Sequence, residues 1–186
     1  MNILFVLENY YPHVGGVESV FKGLAEGVVK QGHRAVVVTH RLKGTAARER
    51  VNGVEVVRVS CFGSRYWFTF LSLFKVFKFT SWADVVHTTT YNGAPPAWLA
   101  AKLLSRPAVI TVHEVLGRKW NLLSNRFSAW VHNLFEKMIL KLPFDKYIAV
   151  SHSTARQLSK VVKRDVEVVY NGLDYNFWNP KKYNGS

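Results

Sequence analysis

The 186 residues are 48% apolar and include six tryptophans, eight tyrosines and twelve phenylalanines, enough to fill one sizeable core, which excludes a disordered chain. Lys and Arg outnumber Asp and Glu by 25 to 12, a formal charge of +13, so the surface attracts polyanions: nucleic acid, anionic lipid or phosphorylated small molecules. Cys61 is the single cysteine, which excludes an intrachain disulfide and a cysteine-based zinc cluster and fits a reducing compartment such as the cytosol.

The chain opens on "MNILFVLENYYP", which has no basic leader and too short an apolar run for a signal peptide, so residues 2 to 7 are predicted to form a first strand. Similar β-branched runs recur at 34 to 40, 54 to 60, 84 to 89, 108 to 113, 146 to 151 and 166 to 170. Near-continuous apolar strands belong to a sheet covered on both faces, so the seven runs predict a mostly parallel sheet. Val17, Val20, Phe21, Leu24 and Val28 recur at helical spacing, and Gln31 and Gly32 stop that helix. The segment "LKGTAARERVNG", 42 to 53, reads as a polar loop. Leu123, Phe127, Trp130, Val131, Leu134 and Met138 draw a second helical stripe, and Ser151 or Ser153 can cap a third helix running to Val162. Strands alternating with helices predict an α/β fold, Rossmann-like and doubly wound, with seven strands. The most apolar long stretch, 62 to 82, is broken by Arg65, Lys75 and Lys78, and its densest part falls short of the roughly 20 residues that span a bilayer.

Between the first strand and first helix stands "PHVGGVES". Two residues without Cβ can take positive φ and let an anion lie against bare N–H groups at a helix N-terminus, although a Gly pair in this position is often only a tight turn. The pair Gly15 and Gly16 is followed by Val17 and Glu18 with no third glycine in register, which disfavours a nicotinamide or flavin site. The histidines are scattered and show no metal-ligand spacing, so no metal and no other cofactor is expected.

The loop and first helix, followed by "NGVEVVRV", "DVVHTTT", "AVITVHE", "YIAVSHSTARQL" and "VEVVYNGLDYNFWNP", together resemble the N-terminal domain of family 4 retaining glycosyltransferases of the GT-B fold. Among them, the phosphatidylinositol glycosyltransferases share the loop and the aromatic second helix. The resemblance implies a two-domain enzyme in which residues 1 to 174 form the acceptor-side domain and 175 to 186 begin the interdomain linker. The donor-binding domain lies outside this sequence, so the isolated domain is expected to be inactive.

By the same resemblance, Gly15, Gly16 and Glu18 belong to the loop that meets the donor diphosphate and the acceptor. His113 sits beside the transferred sugar, as the candidate catalytic residue. His87, Thr88, Tyr91 and Asn92 belong to the acceptor pocket, Ser151 and Ser153 to a site for an acceptor phosphate, and Asn171, Gly172 and Asp174 to the domain junction. The residues themselves allow plainer roles: Glu18 suits a helix dipole, Ser151 an N-cap, His87 a strand-end hydrogen bond, and Gly172 a left-handed turn.

The implied activity is that of a retaining hexosyltransferase, transferring from a UDP- or GDP-sugar to a hydroxyl acceptor, a lipid or a sugar. The alternative is a non-catalytic basic module holding a phosphorylated ligand. Two stretches, 65 to 79 and 117 to 141, combine bases with aromatics. They suit helices lying on an anionic membrane surface, at the cytoplasmic face, or helices that bury their aromatics against the sheet. Nucleic-acid binding rests on charge alone, with no recognised binding pattern behind it, and is not expected.

Overall fold

Side chains alternate across a β-strand, so valine-rich runs with no polar alternation must find apolar partners above and below. The computed structural model, which describes residues 1–123 and 125–172, provides both layers. In chain order the elements are β1 (Asn2–Leu7), α1 (Gly16–Lys30), β2 (Arg34–His40), β3 (Arg48–Val51), β4 (Val54–Val59), α2 (Phe68–Leu71), α3 (Leu73–Trp82), β5 (Val85–Thr89), α4 (Ala94–Leu103), β6 (Ala108–Val112), α5 (Trp120–Leu123), α6 (Arg126–Leu140), β7 (Lys146–Ala149), α7 (His152–Leu158) and β8 (Val166–Val168).

All seven expected strands form, and an eighth joins them. The sheet runs β3-β4-β2-β1-β5-β6-β7-β8. It is parallel except for β3, which pairs antiparallel with β4. The supposed polar loop therefore contains an edge strand, turned back by Asn52 and Gly53 at φ 49° and 87°, the twist that a two-residue hairpin requires.

On one face Phe5, Leu7, Val37, Val54 and Val56 pack with Phe21 and Ala25 of α1. On the other, Leu4, Val6, Val36, Val38, Ile110 and Val112 meet Val76 of α3, Ala97 and Ala101 of α4, Ile139 and Leu140 of α6, and Leu158 of α7. The contact line of α1 is rotated from the expected stripe: Ala25 is buried while Leu24 is exposed. A small residue at the crossing point lets the helix axis approach the sheet closely.

The strand order reverses between β1 and β5, because the chain leaves β1 toward β2 on one side and returns from β4 to β5 on the other. Ligand crevices in open parallel sheets open at such a point, beyond the carboxyl ends of the strands. The two strands close tightly there. A Cβ on Gly93 would stand 2.8 Å from the Val6 carbonyl oxygen, which leaves room only for glycine in the turn after β5.

Candidate functional site

A cavity of about 280 Å³ opens at this switch point. Its floor comes from the strand ends: Glu8 and Asn9 follow β1, while Thr89, Thr90, Tyr91 and Asn92 follow β5. Glu8 clamps the two ends together, its Oε2 accepting from the Asn92 side-chain amide at 2.7 Å and from the Asn92 N–H at 3.4 Å. The Asn92 carbonyl accepts from Thr69 Oγ1 at 3.0 Å, which ties α2 to the same turn.

The walls are aromatic. Trp120 stacks on His132 at 4.7 Å with 23° between the planes and meets the Tyr91 ring edge-on at 6.2 Å. Tyr66 and Phe135 complete the lining. His132 Nδ1 lies 2.7 Å from the Ser128 carbonyl oxygen, which can only accept, so Nδ1 carries a proton. Tyr91 holds φ 75°, a left-handed backbone that a bulky residue adopts only where its surroundings impose it. An aromatic wall over a floor of carboxylate, amide and hydroxyl groups suits a ring whose faces are apolar and whose edges carry hydroxyls.

Gly15 and Gly16 open α1 at the rim. Gly15 is the N-cap, at φ −161°, and neither glycine lies in the positive-φ region. The expected left-handed turn is therefore corrected. The Glu18 carboxylate folds back over Gly15, where a Cβ would meet it, whereas nothing stands within 4 Å of a Cβ on Gly16. Bare backbone thus faces open space at the start of a 15-residue helix, and the positive end of the helix dipole lies there. Glu18 also pairs with His13 at 3.4 Å and lines the cavity.

His113 follows β6 beside this turn. Its ring centroid is 6.1 Å from that of Phe21, and its Nε2 is buried without a hydrogen-bond partner among the described residues. Burial pushes its pKa down, and the Glu18 carboxylate opposes that shift. Buried polar atoms are nearly always paired, so this nitrogen is an exception among the described residues, although His113 itself does not line the cavity.

The family model for Glycosyltransferase Family 4 matches residues 14–177. The chain belongs to that family. It is 27% identical over 161 residues to the GPI3 subunit of phosphatidylinositol N-acetylglucosaminyltransferase of Saccharomyces cerevisiae, a match covering 82% of this chain and 34% of that protein. The chain spans about a third of the length of the curated relatives it matches. The fold is shared with sucrose-phosphate synthase of Thermosynechococcus elongatus, at TM-score 0.74 and 15% identity over 94% of this chain and 49% of that one. It is shared too with Anabaena Alr3699/HepE, solved in complex with UDP-glucose, at TM-score 0.67 and 18% identity over 96% of this chain and 46% of that one.

The family 4 candidates do not all meet in the cavity. Glu18, Tyr91 and Asn92 line it. Thr88 is turned into the core, its hydroxyl donating to the Val6 carbonyl at 2.7 Å. His87 lies behind the rim, with Nε2 2.8 Å from Thr111 Oγ1 and its ring against Phe5 and Phe21. Ser151 caps α7, accepting from the Thr154 N–H at 3.1 Å, and Thr154 in turn donates to the His113 carbonyl at 3.2 Å. Ser153 is exposed in the first turn of α7. Asn171 and Gly172 are exposed beyond β8, and Gly172 is not in the left-handed conformation expected of it. Asp174 and the expected linker, 175 to 186, lie outside the described residues.

Glu8, Tyr66, Trp120, His132 and Phe135 were not among the residues singled out from the sequence. For Glu8 a signal existed, since it directly follows the first strand. For the others the signal was only their membership of the two stretches that mix bases with aromatics.

Proposed function

We propose that this chain is the acceptor-side domain, residues 1–174, of a retaining glycosyltransferase that moves a sugar from a UDP- or GDP-sugar to a hydroxyl of a lipid-borne acceptor at the cytoplasmic face of a membrane. The observation that carries this reading is that the segments lining the cavity also carry exposed apolar side chains. Tyr66 lines it, and Trp67 and Phe70 next to it in the chain stand exposed; so do Leu122, Leu123, Trp130 and Leu134 on the helices that supply Trp120 and His132. A polar headgroup seated among Glu8, Asn92 and Trp120 would leave its acyl chains beside those side chains. The yeast relative, whose name specifies phosphatidylinositol, supports an acceptor of this kind. Among the described residues no helix is long and apolar enough to cross a membrane, so contact would be made at the surface.

In this reading the glycine turn gives backbone N–H groups to the diphosphate as charge builds on it, and the unpartnered Nε2 of His113 takes a hydrogen bond from the transferred sugar or the acceptor once a side-chain shift exposes it. The second, donor-binding domain supplies most of the contacts to the nucleotide. The test is transfer by the complete enzyme from labelled UDP- and GDP-sugars to vesicles with and without phosphatidylinositol. Transfer to the lipid is expected, with His113→Ala lowering turnover about tenfold, the worth of one hydrogen bond. An unchanged rate removes His113 from the mechanism, and absence of transfer to any hydroxyl acceptor favours a non-catalytic module.

A further inference from the structure

A large cation is buried two strands away from the glycine turn. Arg58, on β4, is 1% exposed. Its Nη2 donates to the Tyr11 carbonyl at 2.8 Å, and its Nη1 donates to the Ala46 carbonyl at 3.2 Å and pairs with Glu49 of β3 at 2.6 Å. We propose that Arg58 is a positioning residue, holding the segment between β1 and α1 in the shape that presents Gly15 and Gly16 to the diphosphate. The proposal rests on the reading of that turn as a diphosphate seat.

A buried ion pair is a poor source of stability, because apolar residues of the same volume usually do as well. What an apolar side chain cannot do is fix a carbonyl in space. The segment needs such a fixture: Tyr11 is 43% exposed and Val14 87% exposed, so beyond the buried Tyr10 it has little apolar surface with which to hold its course. Within the segment, the His13 N–H closes a turn on the Tyr10 carbonyl at 3.0 Å. The Arg58 fork then ties the middle of that turn to the sheet. A planar guanidinium reaches acceptors in two directions at once, whereas a lysine ammonium must choose among them. The edge strand β3 gains a purpose as well, since Glu49 balances the charge that the fork brings inside.

Amide hydrogen exchange on this chain, read by mass spectrometry, tests the proposal. Arg58→Met and Arg58→Lys are expected to speed exchange across residues 11–17 about tenfold, the loss of one charge-assisted hydrogen bond, while β5 and β6 keep their rates. Glu49→Gln, which leaves the Tyr11 contact in place, is expected to change that segment less than about threefold. If Arg58→Met does not fold, Arg58→Lys and Glu49→Gln still decide. Faster exchange spread evenly over the sheet, or none at residues 11–17, overturns the positioning role. Titration with inorganic pyrophosphate separates this from the reading beneath it. A dissociation constant that rises about tenfold in Arg58→Lys supports both, whereas no binding by the unaltered chain overturns the diphosphate seat and leaves exchange to decide whether Arg58 holds the turn.

Discussion

Acidification from pH 7 to pH 4 is expected to destabilise the chain by about 3 kcal/mol through His87 alone. Its ring is wedged between Phe5 and Phe21, at centroid distances of 5.6 and 5.3 Å. Burial there, and secondarily the neighbouring His113, push its pKa down from 6.5 to about 4. The unfolded chain takes up the proton as pH falls through 6.5, while the folded chain resists until about 4. The folded state is therefore unaffected above pH 6.5 and loses stability progressively down to about pH 4, beyond which the loss is complete. His113, whose pKa is also lowered by burial, adds to the slope in the same direction. Urea midpoints at pH 7, 5.5 and 4 measure it. In His87→Phe, which keeps an aromatic ring in the wedge, the slope should flatten by most of that amount. An unchanged slope would assign the acid sensitivity elsewhere.

Replacing Phe127, Trp130 and Leu134 together by serine is expected to abolish flotation with anionic vesicles, by roughly a hundredfold or more in partitioning, while thermal stability stays close to that of the unaltered chain. These side chains are 76%, 61% and 45% exposed, so serine removes nothing from the core. Only the exposed part of each can be withdrawn from water at a lipid interface, so their loss forfeits roughly 1 to 2 kcal/mol each. Arg126, Lys137 and Lys141 lie along the same helix or at its end, so binding should also weaken with salt and with removal of anionic lipid. Flotation that survives the triple change would place the contact on another surface.

The sheet was legible because seven of its strands are rich in apolar side chains, a pattern few other arrangements tolerate. The eighth was not, for a physical reason. Arg48, Glu49, Arg50 and Val51 form an edge in which three of four residues are charged and Arg48 and Arg50 are exposed, so hydrophobicity gives no sign of it; the sign was the Asn52-Gly53 pair. The α6 stripe shows the limit of periodicity. Spacing reveals that Phe127, Trp130, Val131, Leu134 and Met138 share a face, and the structure leaves that face outside. The helix turns Ala129, Glu136, Ile139 and Leu140 inward instead.

Glu136 explains part of that choice. It accepts from the backbone of Leu116 at 2.9 Å and of Gly117 at 2.7 Å, and so ties α6 to the segment that leads into α5 and Trp120. A buried carboxylate with two backbone donors is satisfied where a bare one would be costly. The cavity was legible only in part, because positions 8, 91, 120 and 132 meet through the reversal of strand order. His87 and Thr88 show the converse: a strand end near the cleft sends successive side chains to opposite faces, and neither of these two lines the cavity.

The lipid-headgroup reading of the cavity is tested most directly by a map of backbone amide shifts as this chain is titrated with short-chain phosphatidylinositol below its micelle concentration. Perturbations are expected to gather at Glu8, Tyr66, Tyr91, Asn92, Trp120 and His132. Perturbations confined to Lys163 and Arg164, two basic residues just before the edge strand β8, or binding that leaves the strand ends of β1 and β5 untouched, would contradict it.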